Sequence, residues 1–171
     1  VLDTTPFPLL ELSSLLAVLA LHALVRRGTL RYDTPLSSIW PALATAKRGA
    51  TLADALSHRL SLEPPPLDVL HSPAALSDMQ ARIADLTAAP PACSNGGVAS
   101  RQAEPAPPRS SGLSHGWLLA GILERAAPPQ TYAALMGELL APLGLSEAIW
   151  CGQLPPRAAV NVNSGEASLF F

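Results

Sequence analysis

The sequence predicts a mainly α-helical chain, and three observations carry that reading. Leu9 to Gly28, LLELSSLLAVLALHALVRRG, is one long and nearly all-apolar run that ends in helix-stopping chemistry. Later segments repeat apolar residues at three- and four-residue spacing, several of them entered through Ser, Thr or Pro. Between the segments stand turns rich in proline, and 18 prolines in 171 residues argue against an uninterrupted compact fold from end to end.

A chain of 171 residues has room for one domain with a real core, on the rough prior of ~150 residues per domain. A net charge of −2 and only 14% charged residues leave no electrostatic footprint for nucleic acid or an anionic membrane. Cys93 and Cys151 lie far apart with no Cys-x-x-Cys or Cys/His pairing, so they read as free thiols and neither a zinc site nor a disulfide framework is indicated. No basic segment precedes the first apolar run, so a secretory signal is not supported.

The opening VLDTTPFP reads as an irregular or β-like lead-in, because each proline pushes its predecessor toward extended geometry. From Ser14 to Arg27 a helix is expected, with Ser13 or Ser14 capping its start and Arg26, Arg27 and Gly28 closing its end. Apolar residues on every face except at His22 predict burial on all sides. Glu11 and the two arginines cut the run short of the ~20 residues that cross a bilayer. Tyr32-Asp33-Thr34-Pro35 reads as a turn, and Leu36, Ile39, Trp40 and Leu43 as an apolar stripe that packs on the first helix. After the basic Lys47-Arg48-Gly49 link, Thr51 caps a third helix carrying Leu52, Ala55, Leu56 and Leu60. Pro64-Pro65-Pro66 ends it, and a further helix runs from about Ser72 to Thr87 with Pro73 in its first turn. Residues 88–112 have the Pro/Ala/Ser/Gly composition of a long loop or disordered insert. Two more helices follow, HGWLLAGILERA and TYAALMGELLAPLGL, the second stopped by Pro142 and Gly144. Residues 156–171 read as an irregular tail.

Four segments in order carry a family resemblance. FPLLELSSLLAVLALHALVRRGTLRYDTPLSSIWP is similar to a nucleophile helix followed by an ERG-x-L-x-L-D-x-P turn, and ATLADALSHRLSL to T-x-R-x-L-L-S-H-x-x-G-L. SGLSHGWLLAGILE is similar to a tyrosine motif with its following helix, and YAALMGELLAPLGL to an I-x-x-P-L-G-M region. Together they resemble the β-lactamase-related, penicillin-binding-protein-like serine hydrolases, which include class C β-lactamases and esterases. The resemblance implies a fragment of the α/β β-lactamase/transpeptidase-like fold that retains mostly the helical lobe, with a partial domain over residues 1–155.

The family's chemistry needs S-x-x-K at a helix N-terminus, so that the lysine nitrogen one turn on manages the serine proton. Phe7 and Gly28 fix the register from both ends and place Ser14 at the lysine position and Glu11 at the nucleophile position. A carboxylate is a poor nucleophile toward an ester or amide, and a serine cannot replace the lysine as base. Slipping the register makes Ser13 an alternative nucleophile, but the residue one turn past it is Leu16, which moves no proton. The family's Y-x-N tyrosine falls on Ser111 and its asparagine on Leu113, and the chain's two tyrosines, Tyr32 and Tyr132, stand elsewhere. No K-T-G segment occurs in the sequence.

Among other bases, His22 lies ~12 Å along the helix from Ser14 at about 1.5 Å per residue and reads as a core or boundary residue. His58 matches the family's S-H histidine, which by resemblance shapes a loop, and Ser61 stands where a glycine usually follows. His115, next to the lost tyrosine position, is the one histidine that can be a candidate base. The four histidines show no metal-ligand spacing, and no phosphate-binding or dinucleotide motif occurs, so neither metal nor cofactor is expected. The expectation is a degenerate, catalytically inactive domain. The alternatives are a weak serine esterase acting through Ser13 or Ser14 on a small ester or amide substrate, and a non-catalytic helical scaffold or interaction module.

Overall fold

The structure is a computed structural model that describes residues 9, 12–46, 49–60, 62, 64–88, 113–146 and 148–149. Its helices are α1 (Ser13–Arg26), α2 (Leu36–Ile39), α3 (Leu43–Ala46), α4 (Leu52–Leu56), α5 (Leu67–Leu70), α6 (Pro73–Ser77), α7 (Met79–Ala88), α8 (Leu113–Ala126) and α9 (Tyr132–Leu140), with a 3-10 turn at Ala141–Leu143. No strand occurs among the described residues. An antiparallel bridge between Pro35 and Thr51 ties two loops together, with Leu36 N–H donating to Ala50 O at 2.8 Å and Leu52 N–H to Thr34 O at 2.9 Å. That bridge sets the starts of α2 and α4 side by side. Of the loop expected at 88–112, Ala88 instead ends α7, and residues 89–112 lie outside the described residues, as do the tail at 156–171, Cys93 and Cys151.

The core is built around α8. It packs against α1, α2, α4, α7 and α9, and of its residues from Ser114 to Leu123 all but Gly116 are buried. Trp40 shows how close the packing is. Its buried ring occupies the space where a Cβ on Gly121 would stand, 2.6 Å from Cζ3, and the Arg125 guanidinium covers the ring at 4.0 Å. Arg125 Nη1 also donates to Gly121 O at 3.0 Å, so the cation is held in place as it stacks.

The expectation that α1 is buried on all sides is corrected. Ala17, Ala20, Leu21 and Leu24 face the core, whereas Leu12, Leu15 and Leu19 are 66%, 55% and 47% exposed. The described neighbours cover one side of the helix, and an all-apolar sequence cannot say which side that is. The cap expectation is corrected too. The helix starts at Ser13, so both serines lie inside it, and the N-cap position falls on Leu12, in helical geometry and with no side-chain cap bond of its own. The other end is as expected. Gly28 adopts φ +78°, its N–H donates to Val25 O at 3.0 Å and the Thr29 N–H to Leu24 O at 3.0 Å, a Schellman closure that needs the left-handed glycine.

Elsewhere local signals hold and lengths change. Thr51 and Asp54 form a capping box at α4. Thr131 caps α9 through Ala134 N–H at 3.3 Å. Ser72 caps the segment after the prolines, but the single helix expected there is two, because Asp78 leaves helical geometry at φ −78°, ψ 78° and its carboxylate accepts from Ala81 N–H to start α7. The Leu36–Leu43 stripe is likewise two short helices, α2 and α3, parted at Trp40-Pro41-Ala42.

Candidate functional site

Two helix starts carry polar side chains on otherwise apolar elements. The first is the opening turn of α1, with Ser13 and Ser14 both half-buried. The N–H groups of a first turn lack intrahelical acceptors, and with the helix dipole they favour a partial negative charge there. One turn beyond Ser13 stand Leu16 and Ala17, and one turn beyond Ser14 stand Ala17 and Val18. These are hydrocarbon side chains, so neither serine is followed one turn on by a side chain that titrates. Glu11, at the nucleophile position of the expected register, lies outside the described residues, and so does Ser111.

His22 is the next titratable group along α1, and it is engaged sideways. Its Nδ1 lies 3.0 Å from the Tyr32 hydroxyl, and the rings meet edge to face with centroids 5.7 Å apart. This contact pins the Tyr32–Asp33 turn to α1, the boundary role expected of His22. Tyr132, at the start of α9, is buried and its N–H donates to Glu124 Oε1 at 3.2 Å. Gln80 of α7 donates to the other oxygen at 3.2 Å, so Glu124 joins three helices.

The second polar start is that of α8, where Ser114 and His115 are buried at 2% and 3% exposure. His115 Nε2 lies 2.9 Å from Ala55 O. A carbonyl only accepts, so Nε2 carries the hydrogen and Nδ1 holds a lone pair. Burial lowers the proton affinity of His115, the hydrogen bond to Ala55 raises it, and the neighbouring His58 lowers it further, for a net lowering. His58 stacks on that ring at 3.7 Å between centroids and 27° between planes, from a backbone at φ +56°. The structure therefore gathers His115 and His58 against α4, a pairing that the sequence did not suggest. Among the described residues no group of three or more His, Cys, Asp or Glu can hold a metal ion. None of the described helices is long and apolar enough to cross a membrane.

The first long helix of this helical body opens on serines, and the turn and bridge that seat α2 and α4 follow it in chain order. A family model described as Beta-lactamase matches residues 4–161. The chain therefore belongs to the beta-lactamase family, and its described part is helical, as a fragment of that fold would be. No curated protein and no solved structure matches it.

Proposed function

We propose that this chain is a degenerate member of the beta-lactamase family that does not run the family's acyl transfer. The observation that carries the reading is the pair at the mouth of α1. The register set by Phe7 and Gly28 puts Glu11 where the nucleophilic serine belongs and Ser14 where the lysine belongs. Glu11 and Ser14 cannot share the serine–lysine proton transfer, because neither an amine nor an alkoxide precursor stands in its place. The hydrocarbon side chains one turn past Ser13 and Ser14 support the same reading, as does Ser111 at the tyrosine position. His115, the candidate base, is bonded to Ala55 O and stacked on His58, which supports a packing role for it.

The test is a chromogenic ester and a chromogenic cephalosporin offered to the purified chain, together with a fluorophosphonate probe. No turnover and no labelling is the expected outcome. Turnover that Ser13→Ala or Glu11→Ala abolishes would overturn the proposal and install the weak esterase in its place. A second reading, a helical scaffold kept for binding, is favoured by the exposed Leu12, Leu15 and Leu19 on one side of α1.

A further inference from the structure

The His58–His115 stack is a cluster of titratable groups that the proposed function leaves unused. His115 is 3% exposed, and both Nδ1 atoms are buried without a hydrogen-bond partner among the described residues. A bare lone pair is the cheaper state for such an atom, because an N–H in the same place would be a buried donor with nothing to donate to. The rings face each other at 3.7 Å with planes 27° apart. Imidazole lone pairs lie in the ring plane, so two near-parallel rings do not aim their Nδ1 atoms at one ion. The geometry suits a proton rather than a metal.

His58 also holds the least comfortable backbone among the described residues. It is the one non-glycine residue described at positive φ, +56°, a region that a residue with a side chain enters only at a cost. The contacts that offset this are the ring stack on α8 and two local backbone bonds, His58 N–H to Ala55 O at 3.4 Å and Arg59 N–H to Asp54 O at 3.0 Å. We propose that the stacked pair is an acid-operated latch: while the His115 ring is neutral the stack holds the Ser57–Leu60 turn against α8, and a proton on that ring releases the turn while the α1, α8 and α9 core stays folded.

The charged groups on the elements around α8 do not offset such a proton. The Asp54 carboxylate of α4 is turned onto Thr51, and Arg59 beside His58 is exposed. On α7, Arg82 pairs with Asp85 at 2.8 Å and Gln80 with Glu124. His22 of α1 is bonded to Tyr32, Arg26 is exposed, Glu138 of α9 is bonded to Gln130, and α2 carries no titratable residue. Among the described residues the ionisable neighbour that bears on His115 is His58, and its effect opposes the proton. Because the proton affinity of His115 is lowered in the folded state, the latch is fully closed above the ordinary histidine value of 6.5 and opens as pH falls below it.

The experiment is amide hydrogen exchange by NMR on the full chain between about pH 7.5 and pH 5, expressed as protection factors so that the intrinsic pH dependence of exchange cancels. Protection at His58 and Arg59 should fall at least about tenfold, while Leu118 to Leu123 keep theirs. His115→Phe, which keeps a flat ring without a proton site, should abolish the fall. If that variant does not fold, His58→Asn carries the test, since asparagine tolerates positive φ and leaves no stack to break. Constant protection across the range, a fall that survives either variant, or a fall shared by Leu118 to Leu123 would each overturn the latch.

Discussion

Helices α1 and α8 have the same length, 14 residues each, and opposite fates. The first carries two serines, a histidine and an arginine, and it turns Leu15 and Leu19 to solvent. The second carries a serine, a histidine, a glutamate and an arginine, yet it is buried along most of its length. Burial here follows the number of neighbours an element meets, because only a helix wedged among five others loses water on every side. Truncation breaks the comparison most sharply. Leu123→Ala removes a fully buried side chain from α8 and should cost about 2–5 kcal/mol, read as a lowered midpoint in urea unfolding. An equal cost for the same change at Leu15 would mean that the two helices are equally buried.

The next effect is steric. Gly121→Ala places a methyl 2.6 Å from the Trp40 ring, which cannot swing away easily because Arg125 stacks on it and the ring is 3% exposed. Overpacking of this kind costs about 1–3 kcal/mol. Trp40→Phe combined with Gly121→Ala should recover part of the loss in thermal melts, since the smaller ring vacates the contested space. A Gly121→Ala chain as stable as the parent would show that Trp40 repacks without strain, and the close fit would lose its meaning.

Helix ends were legible in the sequence, and helix surroundings were not. The Arg27-Gly28 closure and the Thr51 cap depend on atoms within a few residues of one another, and both appear in the fold. The two faces of α1 depend on α8 and α9, more than eighty residues away in chain order, which no local period encodes. His115 meets Ala55 across 60 residues for the same reason, and a base next to the expected tyrosine position was the reading that proximity in sequence alone allowed. The Ser13 or Ser14 cap failed differently: the residue type was right for a cap, but Leu12 already has helical geometry, so the cap position falls on a leucine and the serines lie inside the helix. At the candidate site the register came from Phe7 and Gly28, and of those anchors Gly28 stands in the structure with the left-handed backbone that its role requires.

The capping box tests a weaker contribution on α4, the element that carries the histidine turn. Thr51 accepts from Asp54 N–H at 3.3 Å and its own N–H donates to Asp54 Oδ2 at 2.9 Å. Thr51→Ala should therefore cost about 1 kcal/mol by thermal melting. The threonine also sits in the bridge to Pro35, so loss of the cap should loosen the start of α2 as well as α4. Exchange of the Leu36 and Leu52 amides, both bonded across that bridge, should rise together. A rise at Leu52 alone would show that the bridge stands without the cap.

The smallest effect is expected where α1 faces solvent, and it returns the comparison to its starting point. Leu15 and Leu19 are 55% and 47% exposed, so Leu15→Gln with Leu19→Gln removes little buried area and should change stability by no more than about 0.5 kcal/mol. The same pair should lower self-association in sedimentation, because adjacent exposed leucines on one helix face form an apolar patch that water disfavours. If the double variant instead loses stability on the scale of Leu123→Ala, that face is covered in the folded protein, and α1 is a core helix after all. If stability holds while association falls, α1 is two-sided by construction: Ala17, Ala20, Leu21 and Leu24 anchor it to the fold, and the leucines on the other side are available to bind.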